Sequence, residues 1–136
     1  MEIKGVKTSA VICYESVFPF LFRADAARGA QLFINITNDG WYLDTAAPYQ
    51  HLLVNIFRAV ETRRPVLRAA NNGISAYIDP WGGVQRSLGL NKAGVLNVDA
   101  KLAAEPAESF YVRNGDFFAY ACMAFCAVFL LAPLFL

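Results

Sequence analysis

From Phe117 to Leu136 the chain carries no charged residue, and apart from Pro133 every position is apolar or aromatic. As a helix this run reaches roughly 30 Å, the thickness of a bilayer core. It is expected to form one C-terminal transmembrane helix, because buried core helices are usually shorter and carry a polar face. Residues 1–116 are left to build a folded domain, enough chain for one modest core. No signal peptide precedes them, since Met1-Glu2-Ile3-Lys4 is polar and alternating. If that domain lies outside the cytoplasm, a further segment upstream has to carry it there, and the chain is expected to be incomplete.

The 136 residues are 57% hydrophobic, with a mean hydropathy of +0.36 and a net charge of +1. That balance gives no field for nucleic acid or an acidic substrate. Cys13, Cys122 and Cys126 make no disulfide framework, and the last two share a face of the apolar run. The single histidine, His51, has no cysteine or histidine at metal-ligand spacing. Neither a metal nor a cofactor is expected.

Ile3 to Ile12 reads as a strand, with Gly5 permitting a turn or bulge. Pro19 to Arg28 reads as a helix capped by Ser16 and stopped at Gly29. The nearly continuous apolar run Gln31 to Thr37 predicts a strand buried on both faces. Asn38-Asp39-Gly40 is a turn, and Trp41 to Asp44 continues as loop. Pro48 to Arg63 predicts a helix with an apolar stripe of Leu52, Leu53, Ile56 and Val60, ended by Pro65. Short strands are expected over Val66–Ala70, Ile74–Ile78, Val84–Ser87 and Gly94–Val98. Strand and helix alternating, then hairpins, indicate an α/β layered architecture. The expected organisation is a domain over 1–105, a linker over 106–116 and the span over 117–136.

The stretch Ala10-Val11-Ile12-Cys13-Tyr14-Glu15 puts a thiol where a buried strand turns into a helix. Backbone N–H groups and the helix dipole there favour the thiolate; the competing reading is a buried structural cysteine. Glu15 has two readings as well, orienting this elbow or serving as a first-turn carboxylate. Trp41 either lines an apolar cleft near a membrane surface or packs in the core. Asn38 and Asp39 are read as turn-formers that shape a site wall. His51 invites a Cys–His dyad, against a capping or core-satisfied histidine. Arg58, Arg63 and Arg64 read as a solvated helix end. Asn35-Ile36-Thr37 fits a glycosylation sequon but falls in an expected buried strand.

Four motifs in combination, Ile12-Cys13-Tyr14-Glu15-Ser16, Asn38-Asp39-Gly40-Trp41, Gln50-His51 and Arg68-Ala69-Ala70-Asn71-Asn72-Gly73-Ile74-Ser75, resemble the C-terminal half of the nitrilase-like domain of the apolipoprotein N-acyltransferases. Tyr111-Val112-Arg113-Asn114-Gly115-Asp116 before a terminal span resembles the end of the same enzymes. The resemblance implies the C-terminal half of an αββα sandwich of the carbon–nitrogen hydrolase superfamily, followed by the transmembrane helix. It implies acyl transfer from a phospholipid donor to the α-amine of a diacylglyceryl-cysteine lipoprotein acceptor, at the periplasmic side of the bacterial inner membrane. Cys13 matches the nucleophile; the Tyr14 backbone N–H is a candidate oxyanion donor, and Trp41 and Asn38 are candidate substrate-binding residues. The family's glutamate base and lysine lie upstream of the cysteine motif and have no counterpart before Cys13, so the N-terminal half of the same enzyme is the expected partner. Two other readings stay open: a membrane-tethered nitrilase or amidase, and an inactive truncated half-domain that folds poorly alone.

Overall fold

The computed structural model describes residues 1–102 and 108–131. Two short segments open it, β1 (Glu2–Ile3) and β2 (Val6–Ile12), paired antiparallel across Lys4 and Gly5. The strand expected from Ile3 to Ile12 is thus divided by the turn that Gly5 was read as permitting. Both turn residues take positive φ, which Gly5 accepts without strain. A 3₁₀ helix (Cys13–Val17) leads into α1 (Pro19–Ala27), then β3 (Leu32–Asn38). A second 3₁₀ turn (Gly40–Tyr42), where plain loop was expected, precedes α2 (Ala47–Thr62). The chain continues through β4 (Val66–Asn71), β5 (Ser75–Ile78) and β6 (Val84–Leu88) to α3 (Phe110–Asn114) and α4 (Phe117–Leu131).

The six strands form one mixed sheet in sequence order. β2, β3 and β4 are parallel, linked by α1 and α2; β5 and β6 add on antiparallel. Both helices cover one face. Phe22 and Ala26 of α1 and Ala59 of α2 meet Val11, Phe33, Val66 and Ile78 from the sheet in a single buried cluster. Phe22 and Phe33 stack at 4.6 Å between ring centroids.

The other face is uncovered, and this corrects the strand reading of residues 31–37. β3 alternates, with Phe33, Asn35 and Thr37 buried, while Ile36 is 52% exposed. Its register neighbour Ile12 is 53% exposed. A continuous apolar run marks a strand made to be covered on both sides, yet only one cover lies among the described residues.

Three more expectations change. The buried face of α2 is polar, made by Pro48, His51, Asn55, Arg58, Ala59 and Thr62. Leu52 and Ile56 pack at the core margin, whereas Leu53 is half exposed. Arg58 and Arg64 are buried rather than solvated. The Arg58 guanidinium donates to the Val17 carbonyl and Glu61, and that of Arg64 to the Ala30 and Thr62 carbonyls. Only Arg63 follows the solvated reading, capping α2 in a left-handed conformation with its guanidinium 4.3 Å from the Trp81 ring. The run Gly94–Val98 forms no strand: it has no pairing partner among the described residues, and Val95 is 87% exposed.

The expected linker over 106–116 is partly a docked helix. Val112 of α3 enters the core cluster, Arg23 donates to the Tyr111 carbonyl at 3.1 Å, and the Ser109 hydroxyl donates to the Glu61 carbonyl. Residues 106–107 lie outside the described residues. So do residues 132–136 of the expected span. Its described part, α4, is apolar all round and exposed along its length, but no helix among the described residues is long and apolar enough to cross a membrane.

The turn from β5 to β6 is organised by Asp79. Its carboxylate accepts from the Trp81 and Gly83 backbone N–H groups at 2.8 and 3.0 Å, and from the Gln85 amide at 2.6 Å. Partial burial pushes this carboxyl up, but the bonds to the ionised form outweigh it and leave its pKa below the usual carboxylate value. A lowered folded-state pKa stabilises above the unfolded value and ceases to do so as pH falls through the folded one. Asp79→Ala is expected to cost about 1 kcal/mol at neutral pH. That deficit should vanish below the usual carboxylate range, as read from urea midpoints across pH.

Candidate active site

The three parallel strands end side by side, and their carboxyl-end loops gather at one edge, the place where open α/β sheets bind ligands. β2 delivers Cys13, β3 delivers Asp39 and β4 delivers the turn Asn71-Asn72-Gly73. The loops are stitched together. The Asp39 N–H donates to the Asn71 carbonyl at 3.0 Å, and the Asn71 amide donates to Asn38 Oδ1 at 3.2 Å. Asn38 Oδ1 also accepts the Gly40 N–H at 3.1 Å, so it shapes the wall of the edge as a turn-former.

Cys13 has φ +49°, left-handed for a residue with a Cβ. Such a conformation costs about 1–2 kcal/mol and persists only where neighbours enforce it. Here the following peptide is held directly and the chain just before it is tied at Ile12. The N–H of Ile12 donates to the Glu15 carboxylate at 2.7 Å. The carbonyl of Cys13 lies 3.1 Å from Ser16 Oγ, 3.2 Å from His51 Nε2 and 3.4 Å from Asn35 Nδ2. Glu15 sits in the first turn of the 3₁₀ helix and bonds back to the residue before Cys13, a placement common to both readings open to it. The cap expected at Ser16 is not formed: its hydroxyl turns inward, and α1 starts at Pro19 after Phe18.

Beneath the elbow lies a buried ionic cluster that the sequence reading did not assemble. Asp39 is 1% exposed. Its carboxylate pairs with Arg68 Nη2 at 2.5 Å and with His51 Nδ1 at 2.9 Å, and accepts from the Thr37 hydroxyl at 3.0 Å. Arg68 also donates to Asn35 Oδ1 at 2.6 Å and to the Ile74 carbonyl at 3.2 Å. Burial pulls the Arg68 guanidinium below its usual value, against the opposing pull of Asp39. His51 is the core-satisfied histidine expected from sequence, bonded on both ring nitrogens. Asp39, taken as a turn-former, is instead the cluster's central anion. The signal was present: Asn35 and Arg68 interrupt otherwise apolar strands, and buried polar groups need partners.

Tyr14 is 57% exposed beside the elbow, and Trp41, 84% exposed, packs into no core among the described residues. Tyr42 stands edge-on to His51 at 5.9 Å. Burial raises its phenol pKa, with the neighbouring charges of Cys13 and Asp39 adding to the rise. Chemically, the edge presents a half-buried thiol on a strained turn, above a hydrogen-bonded ionic floor. A cavity of about 680 Å³ opens elsewhere, between Tyr77, Trp81, Arg86 and Lys101, and Cys13 does not line it.

The carbon-nitrogen hydrolase family matches residues 1–105. The apolipoprotein N-acyltransferase of Geobacter metallireducens is 47% identical over 118 residues, covering 87% of this chain and 22% of its own length. That of Thermotoga maritima is 41% identical over 122 residues, with 88% and 24% covered. The chain spans less than a quarter of the length of these relatives. Among solved structures, the Nesterenkonia sp. AN1 amidase is similar at 29% identity with a TM-score of 0.55, over 66% of this chain and 36% of that one. The structure is a mutant with the acetamide moiety of fluoroacetamide added covalently at its active-site cysteine. The family match over residues 1–105 covers more than half of the sequence, and the chain belongs to the carbon–nitrogen hydrolase family.

Proposed function

We propose that this chain supplies the nucleophile half of a lipoprotein N-acyltransferase site. The observation that carries the reading is Cys13, held at positive φ at the carboxyl end of β2, in a chain whose curated relatives bear that name. In this reading the Cys13 thiolate attacks the ester carbonyl of a phospholipid. A C–S bond forms, and the lysophospholipid leaves as an alcohol with the proton. The α-amine of a diacylglyceryl-cysteine lipoprotein then attacks the thioester. An amide forms, the thiolate returns and the amine's proton passes to a base. The Tyr14 backbone N–H faces the developing oxyanion, and Trp41 and Asn38 border the substrate. The base and a second, charged oxyanion donor, a glutamate and a lysine in this family's pattern, come from outside residues 1–136. The same missing half covers the bare face of the sheet. The apolar helix from Phe117 holds the domain at the bacterial inner membrane, on its periplasmic side.

In the intact protein, Cys13→Ser is expected to lower transfer from phospholipid to a diacylglyceryl peptide by at least about a thousandfold, the scale of removing a covalent nucleophile. Transfer at the parent rate would contradict the assignment. A second reading, a membrane-tethered amidase, has the amidase-like fold in its favour. In that case water resolves the thioester, and small amides turn over while the peptide stays unmodified.

A further inference from the structure

We propose that Ser16, His51 and Asn35 are positioning residues that clamp the Cys13 carbonyl and so hold the thiol in its attacking orientation. The inference rests on the reading of Cys13 as nucleophile. Three separate elements converge on that one oxygen: Ser16 from the 3₁₀ helix at 3.1 Å, His51 from α2 at 3.2 Å and Asn35 from β3 at 3.4 Å. A carbonyl at the start of a helix ordinarily waits for a backbone N–H further along. Here three side chains reach it as well, which holds the peptide plane after Cys13, while Glu15 holds the N–H of Ile12, one peptide further back. With the plane after it held and Ile12 tied to Glu15, Cys13 stays left-handed. Released, an L-residue relaxes towards extended backbone, and its Cα–Cβ bond swings away from the oxyanion donors.

The clamp is itself pinned. His51 Nδ1 faces Asp39 Oδ1 at 2.9 Å, and Arg68 holds Asp39 from the other oxygen. That pairing uses the Nδ1 proton and orients the ring so that Nε2 points at Ser16 and Cys13. What Nε2 donates to the Cys13 carbonyl is a second ring proton, on the imidazolium paired with the Asp39 carboxylate. Asn35 is fixed in the same way, its Oδ1 accepting from Arg68 while its amide serves the Val11 and Cys13 carbonyls. The buried ion pair therefore reaches the thiol through two side chains without touching it. A histidine beside a reactive cysteine is usually read as its base; this one addresses the carbonyl.

The test uses the intact protein with Ser16→Ala, His51→Ala and His51→Gln, the last keeping an N–H donor. Melting temperature, the rate of iodoacetamide alkylation at Cys13 by peptide mass, and kcat and KM for acyl transfer are measured together. Ser16→Ala and His51→Ala are expected to slow alkylation and kcat each about tenfold, one hydrogen bond's worth, with KM within about twofold. His51→Gln should recover most of both rates without recovering the melting temperature. Parent alkylation rates in folded Ser16→Ala overturn the clamp, and this variant suffices should His51→Ala fail to fold. Slowed alkylation in a protein that never transfers acyl groups keeps the clamp and removes the proposed reaction. Normal transfer with unchanged alkylation removes the clamp alone.

Discussion

Arg68→Met unfolds the domain or comes close to it, with an expected loss of about 3–5 kcal/mol. The side chain is 3% exposed and spans β4 to β3, paired with Asp39 at 2.5 Å and bonded to Asn35 and the Ile74 carbonyl. Methionine fills a similar volume, so the cost is electrostatic. It leaves the Asp39 carboxylate in the interior with only His51 and Thr37 to answer it. A domain of this size is stable by only about 5–15 kcal/mol, which makes the loss a large fraction of the total. The double variant Arg68→Met with Asp39→Leu removes both charges and should regain part of that loss, because paired apolar replacements spare the desolvation cost. Urea midpoints of the intact protein decide the matter. A single-variant loss below about 1 kcal/mol would mean that water or another group reaches Asp39.

Gly73→Ala is expected to cost about 2–3 kcal/mol, near the upper end of what overpacking costs. A Cβ at Gly73 would run into the Asp39 carboxylate and lie 2.7 Å from its Cβ and Cγ. A mobile side chain could step aside, but Asp39 is held by Arg68, His51 and Thr37. The added methyl therefore pushes on the ionic cluster and, through His51, on the Cys13 carbonyl, so thiol reactivity should fall along with stability. Gly5→Ala is the useful contrast. Nothing lies within 4 Å of a Cβ there, and only the φ of +81° opposes it, at about 1 kcal/mol and with no effect on Cys13. Equal losses in the two variants, by thermal melting and iodoacetamide rate, would contradict a pinned Asp39.

The part of this architecture legible in the sequence was whatever depends on local chemistry. Pro19 and Gly29 bracket a helix because one pre-sets φ and the other accepts a positive φ, and α1 lies between them. Asn38-Asp39-Gly40 and Asn71-Asn72-Gly73 end their strands as expected, the first with Asn38 Oδ1 accepting the Gly40 N–H. The illegible part depended on partners. Leu53 belongs to an apolar stripe by periodicity, yet α2 turns its polar face inward, because His51, Asn55 and Arg58 find buried partners there. Arg58 and Arg64 look solvated by composition, but backbone carbonyls from distant segments draw them inside. Gly94–Val98 has the alternation of a strand without a neighbour to pair with among the described residues. Within the candidate site, the position of Cys13 followed from strand and helix signals alone. The cluster beneath it did not, because nothing in a single sequence places residues 16, 35, 39, 51 and 68 side by side.

Cys13 as the acyl carrier is the centre of this account. The most direct measurement incubates the intact protein with phospholipid and no amine acceptor, then maps acylated peptides by mass before and after neutral hydroxylamine. The account predicts an acyl group on the peptide holding Cys13, released by hydroxylamine as a thioester and consumed when a diacylglyceryl peptide is added. Acyl transfer with Cys13 unmodified, or acylation confined to Cys122 or Cys126, would contradict it.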